Sequence, residues 1–341
     1  MSRRLGYSDF DEILGELENN YRIYAPKSFH GIGAYSDTDV IRYGEIKSVS
    51  EIVTRQKTHY SVKEIFFPIT QTLFYYFDDE TRAPKLDDKG IIIFLRPCDI
   101  NAVNSLDKVF LENGNIKDVY YEGLRSKIKV FMLECREGFD NCFCASMNAN
   151  KTGDYDAAFR FGENEVLCEI KNDDFIPLFQ NKGVEIEFTP EFVERDYAKV
   201  SLPQIEKITT DMFDDSMWSE YSKRCIACGR CNFVCPTCSC WTMQDIQYEG
   251  SQSAGERRRV WASCHVDRYS DMAGGHSFRR SSGERMRFKV FHKIYDFKKR
   301  FGFNMCTGCG RCDDICPEYI SYRNAVNRVT KLTEEVQHDG K

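Results

Sequence analysis

Two cysteine runs carry the chemistry of this sequence. The first is Cys225, Cys228, Cys231 and Cys235 followed by Pro236; the second is Cys306, Cys309, Cys312 and Cys316 followed by Pro317. Both read C-x2-C-x2-C-x3-C-P, the spacing by which ferredoxin modules hold 4Fe–4S clusters. Two-residue gaps wrap the backbone tightly, so that three thiolates reach three irons of one cube. The three-residue gap opens a helix that aims the fourth thiolate elsewhere, and in two-cluster modules that thiolate completes the other cluster. The expected sets are Cys225, Cys228, Cys231 and Cys316 for one cluster, and Cys306, Cys309, Cys312 and Cys235 for the other. Gly229 and Gly310 follow the second cysteine of each run, where the backbone passes close to a cluster and a side chain would intrude. Zinc is the alternative for a single run, since C-x2-C pairs also bind it. Repetition of the whole run, proline included, favours iron and sulfur.

A second constellation lies upstream. Residues 91–95 (IIIFL) form an apolar run of strand length that leads into Cys98, and 129–134 (KVFMLE) lead into Cys135. Cys142 and Cys144 follow closely. Ligand sites in α/β sheets favour the carboxyl ends of strands, so Cys98, Cys135, Cys142 and Cys144 are candidates for a third Fe–S cluster. The other readings are small buried side chains or zinc. Cys168 sits inside an apolar strand and reads as core. Cys238 and Cys240 read as small thiols packed beside a cluster, with ligation as the alternative; Cys264 has no assigned role, and a lone His265 reads as structural.

The elements that must position these residues follow from pattern. An amphipathic helix is expected over 8–20, with Ser8 as N-cap and Phe10, Ile13, Leu14 and Leu17 on one face. A short strand, 21–26, would end at Pro26. Gly31-Ile32-Gly33 lacks the third glycine of a dinucleotide fingerprint and reads as a loop. Asp99 or Asn101 would cap a helix over 102–112, and short strands are expected across 155–200. From 203 the pattern turns helical. The seventy residues between Cys235 and Cys306 suggest a helical bundle that brings the two cysteine loops together. The expected architecture is α+β: a mixed α/β domain over 1–200, possible holder of the third cluster, and an α-helical ferredoxin-type domain with two clusters over 201–341. A closing helix is expected over 318–334, with a polar tail.

Composition narrows the function. The chain of 341 residues is 42% hydrophobic and 29% charged, ordinary for a globular protein, and its net charge of −6 argues against a general nucleic-acid binder. Its sixteen cysteines, half of them in the two runs, imply a reducing cytoplasm. No stretch approaches the 18 apolar residues of a transmembrane helix, so no membrane partner is expected. Residues 251–300 hold 13 Lys and Arg against 5 Asp and Glu, dominated by Arg257, Arg258, Arg259, Arg279, Arg280, Arg285 and Arg287. A solvated helix face, a charge reservoir beside a cluster and a dock for an acidic partner all fit that strip.

Taken together, SDTD (36–39), PITQTLFYYF (68–77), PCDINA (97–102), NCFCASMN (141–148), CIACGRC and CPTCSC (225–240), GERRRVWASC (255–264), DMAGGH (271–276) and CTGCGRCDDICP (306–317) give a resemblance over nearly the whole chain. The sequence resembles the iron–sulfur electron-transfer subunits of anaerobic sulfite reductases and, more distantly, the beta subunits of cytoplasmic sulfhydrogenases. That resemblance implies a relay within a three-part cytoplasmic complex. A flavin subunit takes electrons from NAD(P)H, and a sirohaem subunit reduces sulfite to hydrogen sulfide. The resemblance also strengthens the case for a third 4Fe–4S cluster. No catalytic residue is expected in this chain. The rival within electron transfer is a beta subunit feeding a NiFe hydrogenase. A heterodisulfide-reductase-like enzyme would need adjacent cysteine pairs, which are missing here. A structural-metal module would contain zinc.

Overall fold

The computed structural model describes residues 1–251 and 253–335. In chain order its elements are β1 (Ser2–Gly6), α1 (Tyr7–Leu17), β2 (Tyr21–Phe29), β3 (Val40–Glu45), β4 (Thr70–Phe77), β5 (Glu80–Arg82), β6 (Gly90–Leu95), α2 (Pro97–Leu111), α3 (Val119–Arg125), β7 (Ile128–Leu133), β8 (Ala157–Phe161), β9 (Glu165–Ile170), α4 (Ile176–Phe179) and β10 (Val184–Glu185). There follow α5 (Met217–Arg224), α6 (Arg230–Phe233), β11 (Trp241–Gln247), β12 (Ala254–Trp261), α7 (Ser282–Phe291), α8 (Phe297–Phe301), α9 (Arg311–Asp314) and α10 (Tyr322–Glu335). A π turn, His292–Asp296, joins α7 to α8. The polar tail beyond 335 lies outside the described residues. Among those described, no helix is long and apolar enough to cross a membrane.

Contacts divide the chain into two compact units. One comprises Met1–Phe66, Leu86–Asp140 and Asn148–Asp196; the other comprises Phe67–Lys85, Asn141–Met147 and the chain from Tyr197 onward. Two short segments from the first 200 residues thus fold with the cysteine runs.

The first unit is built on an eight-stranded mixed sheet in the order β10-β1-β9-β8-β7-β6-β2-β3. Strands β2, β6, β7 and β8 run parallel to one another. Parallel central strands are covered on both faces, which is why β6 and β7 read as continuous apolar runs. Ile92, Phe94, Phe131 and Leu133 join Phe10, Ile13 and Leu14 of α1 in one core. Its aromatic centre packs edge to face, with Phe94 and Phe131 at 5.3 Å and 87°. The alternating residues Ile93, Leu95, Val130 and Met132 are buried too.

Three local expectations need correction. Helix α1 starts at Tyr7 straight out of β1, with extended Gly6 before it and no side-chain cap, so Ser8 lies inside the helix. Strand β2 does not stop at Pro26. It pairs with β6 only over Tyr21–Tyr24 and with β3 from Tyr24 to Phe29, so Pro26 stands where only one side of the strand is paired. Helix α2 begins at Pro97, whose missing N–H costs nothing at the first helical position. Asp99 is fully buried and accepts from Tyr43 Oη at 3.1 Å rather than capping the helix.

The second unit departs further from expectation. The segment after Cys240 is a β-hairpin, not a helical bundle. Strands β11 and β12 pair from Trp241↔Trp261 to Gln247↔Gly255, and β12 pairs on its other side with β4, giving the antiparallel order β11-β12-β4-β5. That sheet depends on a strand more than 150 residues upstream, a pairing no local periodicity reveals. Trp261 fixes it by donating from Nε1 to Phe67 O at 2.9 Å. The helical part packs α5 on α7, with Trp218 and Phe291 rings 5.7 Å apart. Ser281 and Glu284 close a capping box at the start of α7.

Candidate functional site

The two cysteine runs fold the same way. In the first, Ala227 (φ 57°) and Gly229 (φ 75°) are left-handed and α6 starts at Arg230; in the second, Gly308 (φ 67°) and Gly310 (φ 74°) are left-handed and α9 starts at Arg311. The alternation coils the backbone around each loop's centre, and the short helices α6 and α9 lie side by side. The second loop is also pressed from outside. A Cβ on Gly308 would overlap Phe143 O, and one on Gly310 would overlap Asn141 O. Phe143 N donates to Gly308 O at 2.7 Å, and Asn141 Nδ2 to Asp314 Oδ1 at 2.8 Å.

One pocket is lined by Cys225, Cys228, Cys231 and Cys316 together, with Cys312, His265 and Tyr322 also on its wall. In the second group, Cys306 feels Cys235 and Cys309, and Cys312 feels Cys235 and Cys306. Both groupings interleave the runs: the fourth cysteine of each stands with the first three of the other. Among the described residues, no three His, Cys, Asp or Glu side chains converge on a point fit for a single metal ion.

The lining fits a 4Fe–4S group. His265 and Tyr322 are 2% exposed, yet both ring nitrogens of His265 and the Tyr322 hydroxyl have no hydrogen-bond partner. Buried polar atoms are rarely orphaned, and cluster sulfurs would accept from donors placed there. Burial holds the imidazole neutral by pushing its pKa well down, with Lys289 and Arg285 adding to the effect. Burial also drives the Cys231 and Cys312 thiols up, and Cys306 up to about 12.

Two buried lysines, not singled out from the sequence, stand against that burial. Lys289 on α7 donates to Cys231 O at 3.3 Å, and Lys293 in the π turn donates to Thr237 Oγ1 at 2.6 Å. Thr237 is in turn 3.4 Å from Cys235 Sγ. Burial alone would lower both ammonium pKa values. For Lys289 the thiols of Cys231, Cys312, Cys238 and Cys235 outweigh it; for Lys293 those of Cys235, Cys238 and Cys306 do. Positive charge is thus held where reduced clusters would gain negative charge. The π turn helps to set this position: Lys293 O accepts from Met305 N at 2.9 Å, next to Cys306. The sequence signal was the spacing of the two lysines, four apart between apolar neighbours in FKVFHKI (288–294).

The basic strip is not one feature. Arg257 is half-buried and clamps Asp245 with two bonds of 2.6 and 2.7 Å. Arg258 pairs with Glu256. Arg259 is buried over the Phe67 ring at 5.0 Å, and Arg285 is buried against Asp267 at 3.0 Å. No helix face gathers them, since the first three lie on β12.

The upstream constellation divides between the units. Cys98 lies in the first turn of α2 and Cys135 just past β7, both in the first unit. Cys142 and Cys144 are buried in the second, where Cys142 Sγ is 3.6 Å from Cys309 O. Cys135 also borders a polar cleft of about 510 Å³ at the carboxyl ends of β7 and β8, with Arg55, Arg96, Arg136 and Arg160 on its walls. Cys168 is core, as its strand position implied.

Residues 224–320 match the 4Fe-4S dicluster domain family. The chain is also similar to the sulfhydrogenase 2 subunit beta of Pyrococcus furiosus, at 27% identity over 339 residues covering 94% of this chain and 96% of that protein. No solved structure matches.

Proposed function

We propose that this chain is the electron-transfer subunit of a cytoplasmic oxidoreductase complex, of the kind a sulfhydrogenase beta subunit represents. The observation that carries the reading is the interleaving of the two identical cysteine loops, with two buried ammonium groups beside them. A 4Fe–4S cluster in each loop set would supply one-electron oxidation and reduction. Cys225, Cys228, Cys231 and Cys316 would hold one, and Cys306, Cys309, Cys312 and Cys235 the other. His265 and Tyr322 would donate to the first. Lys289 and Lys293 would offset the added charge.

The full-length similarity favours a hydrogenase-type partner over a sulfite-reducing one. The second reading is the iron–sulfur member of an anaerobic sulfite reductase, placed between a flavin/NAD(P)H subunit and its sirohaem counterpart. It keeps the support of the ordered segments outside the cysteine runs, such as NCFCASMN and GERRRVWASC. Anaerobic purification of the intact complex, followed by metal analysis and visible spectroscopy, separates the two. Nickel in the complex supports the first. Sirohaem absorbance without nickel overturns it in favour of the second.

A further inference from the structure

Three adjacent parallel strands of the first unit end at one cleft. β6 runs into Arg96, β7 runs into Glu134 and Cys135, and β8 carries Arg160 and Phe161 at its end. The cleft of about 510 Å³ is large enough for an organic molecule, and the carboxyl ends of parallel strands are where α/β sheets bind ligands. Its arginines are unequally satisfied. The Glu134 carboxylate, 3% exposed, accepts from Arg160 at 2.5 and 2.6 Å and lies 3.4 Å from Arg136. Arg160 also donates to Glu191 at 2.9 Å. Arg96 has only neutral partners. It is 6% exposed, donates to Thr54 O at 2.6 Å and Gln56 O at 3.3 Å, and lies 4.5 Å over the Phe139 ring. Among the described residues no carboxylate pairs with it. Arg55, between those two acceptors in the chain, is exposed and likewise has no ion pair among the described residues.

A buried guanidinium is costly unless an anion offsets its charge. We propose that this cleft binds a small organic phosphate, a phosphate ester whose phosphate group is taken by Arg96 and Arg55. Two arginines without carboxylates match the two charges of a phosphate ester, and the planar guanidinium forms paired bonds to phosphate oxygens. One device presents both: the bonds from Arg96 to Thr54 and Gln56 hold the segment that carries Arg55. Glu134 meanwhile keeps Arg160 and Arg136 occupied. The organic part of the ligand lies against Phe139 and Phe161, two half-buried rings of the wall. Glu137, also on the wall, is exposed, and solvent ions screen its repulsion. The cleft contains no residue of either cysteine run, so the proposal stands whether or not those runs hold iron.

The test is calorimetric titration of the anaerobically purified full chain with phenyl phosphate, inorganic phosphate and acetate, at constant ionic strength. A pH of about 8 keeps the phosphates dianionic. Phenyl phosphate should bind at a single site, inorganic phosphate more weakly at the same site, and acetate about tenfold more weakly than inorganic phosphate. Arg55→Ala removes an exposed side chain and should weaken phenyl phosphate about tenfold. Arg96→Lys, which keeps the charge but not the planar fork, should weaken it to a similar degree. Arg257→Ala, in the other unit, should leave binding unchanged. No saturable binding of phenyl phosphate to the wild-type chain, or undiminished binding in Arg55→Ala, would overturn the proposal. Acetate binding as tightly as inorganic phosphate would overturn it by assigning the arginines to a carboxylate, such as one on a protein partner. Inorganic phosphate binding as tightly as phenyl phosphate would overturn it by leaving the organic part unheld.

Discussion

Lys289 Nζ lies 3.3 Å from the backbone oxygen of Cys231, inside the protein and beside thiols of both cysteine runs. A unit charge at roughly 6 Å acts on another by about 3 kcal/mol at an effective dielectric of 20. Removing it without changing bulk, as in Lys289→Met, should lower the reduction potentials of both clusters by about 60 mV or more, the equivalent of a tenfold change for one electron. Lys289→Arg should retain most of the potential. Lys293→Met should act mainly on the set containing Cys306 and Cys235. Redox titration followed by EPR reads all three, and unchanged potentials would reduce both lysines to structural groups.

Gly308 and Gly302 both have positive φ, 67° and 86°, but a Cβ on Gly308 would overlap Phe143 O whereas Gly302 faces open space. Gly302→Ala should therefore cost only the backbone strain, about 1 kcal/mol. Gly308→Ala should cost at least twice that and release iron from the second loop. Thermal unfolding with iron analysis distinguishes them. Equal losses would mean that the segment carrying Phe143 does not press on the loop.

His292 stacks on Phe288 at 5.3 Å and 15°, and burial holds its pKa down to about 4, with Lys293 and Arg279 adding to the effect. Its folded pKa lies below the unfolded value of about 6.5. The stability it contributes is complete above that value and is lost as pH falls toward 4. With partial solvent screening the loss is about 2 kcal/mol. Relative to His292→Phe, whose ring takes no proton, wild type should lose melting temperature as pH falls from 7 to 4.5. A constant gap across that range would contradict the assignment.

The turns of the two cysteine loops were legible because they are local: spacing, proline and glycine set them. Strands β6 and β7 were legible because burial on both faces leaves an unbroken apolar run. The β11–β12 hairpin was not, since β12 gains its second neighbour from β4, far upstream in the chain. Residues 257–259 looked like one basic surface, yet the alternation of a strand sends Arg259 inward over Phe67 and leaves Arg257 outside. Lys289 and Lys293 were hidden for a similar reason: lysine is ordinarily a surface residue, and only the thiols around these two make burial tolerable. His265 read as a structural histidine from sequence, where nothing shows that its ring nitrogens are buried without partners.

The central claim is that the two runs hold two cubes with exchanged fourth ligands. Iron and sulfide content with EPR, on chain purified anaerobically, tests it most directly. The account predicts at least about eight irons per chain, with a loss of about four in Cys228→Ser and again in Cys309→Ser. A third cluster would raise the total to about twelve. Zinc in place of iron, or a full iron complement in both Cys228→Ser and Cys309→Ser, would contradict the account.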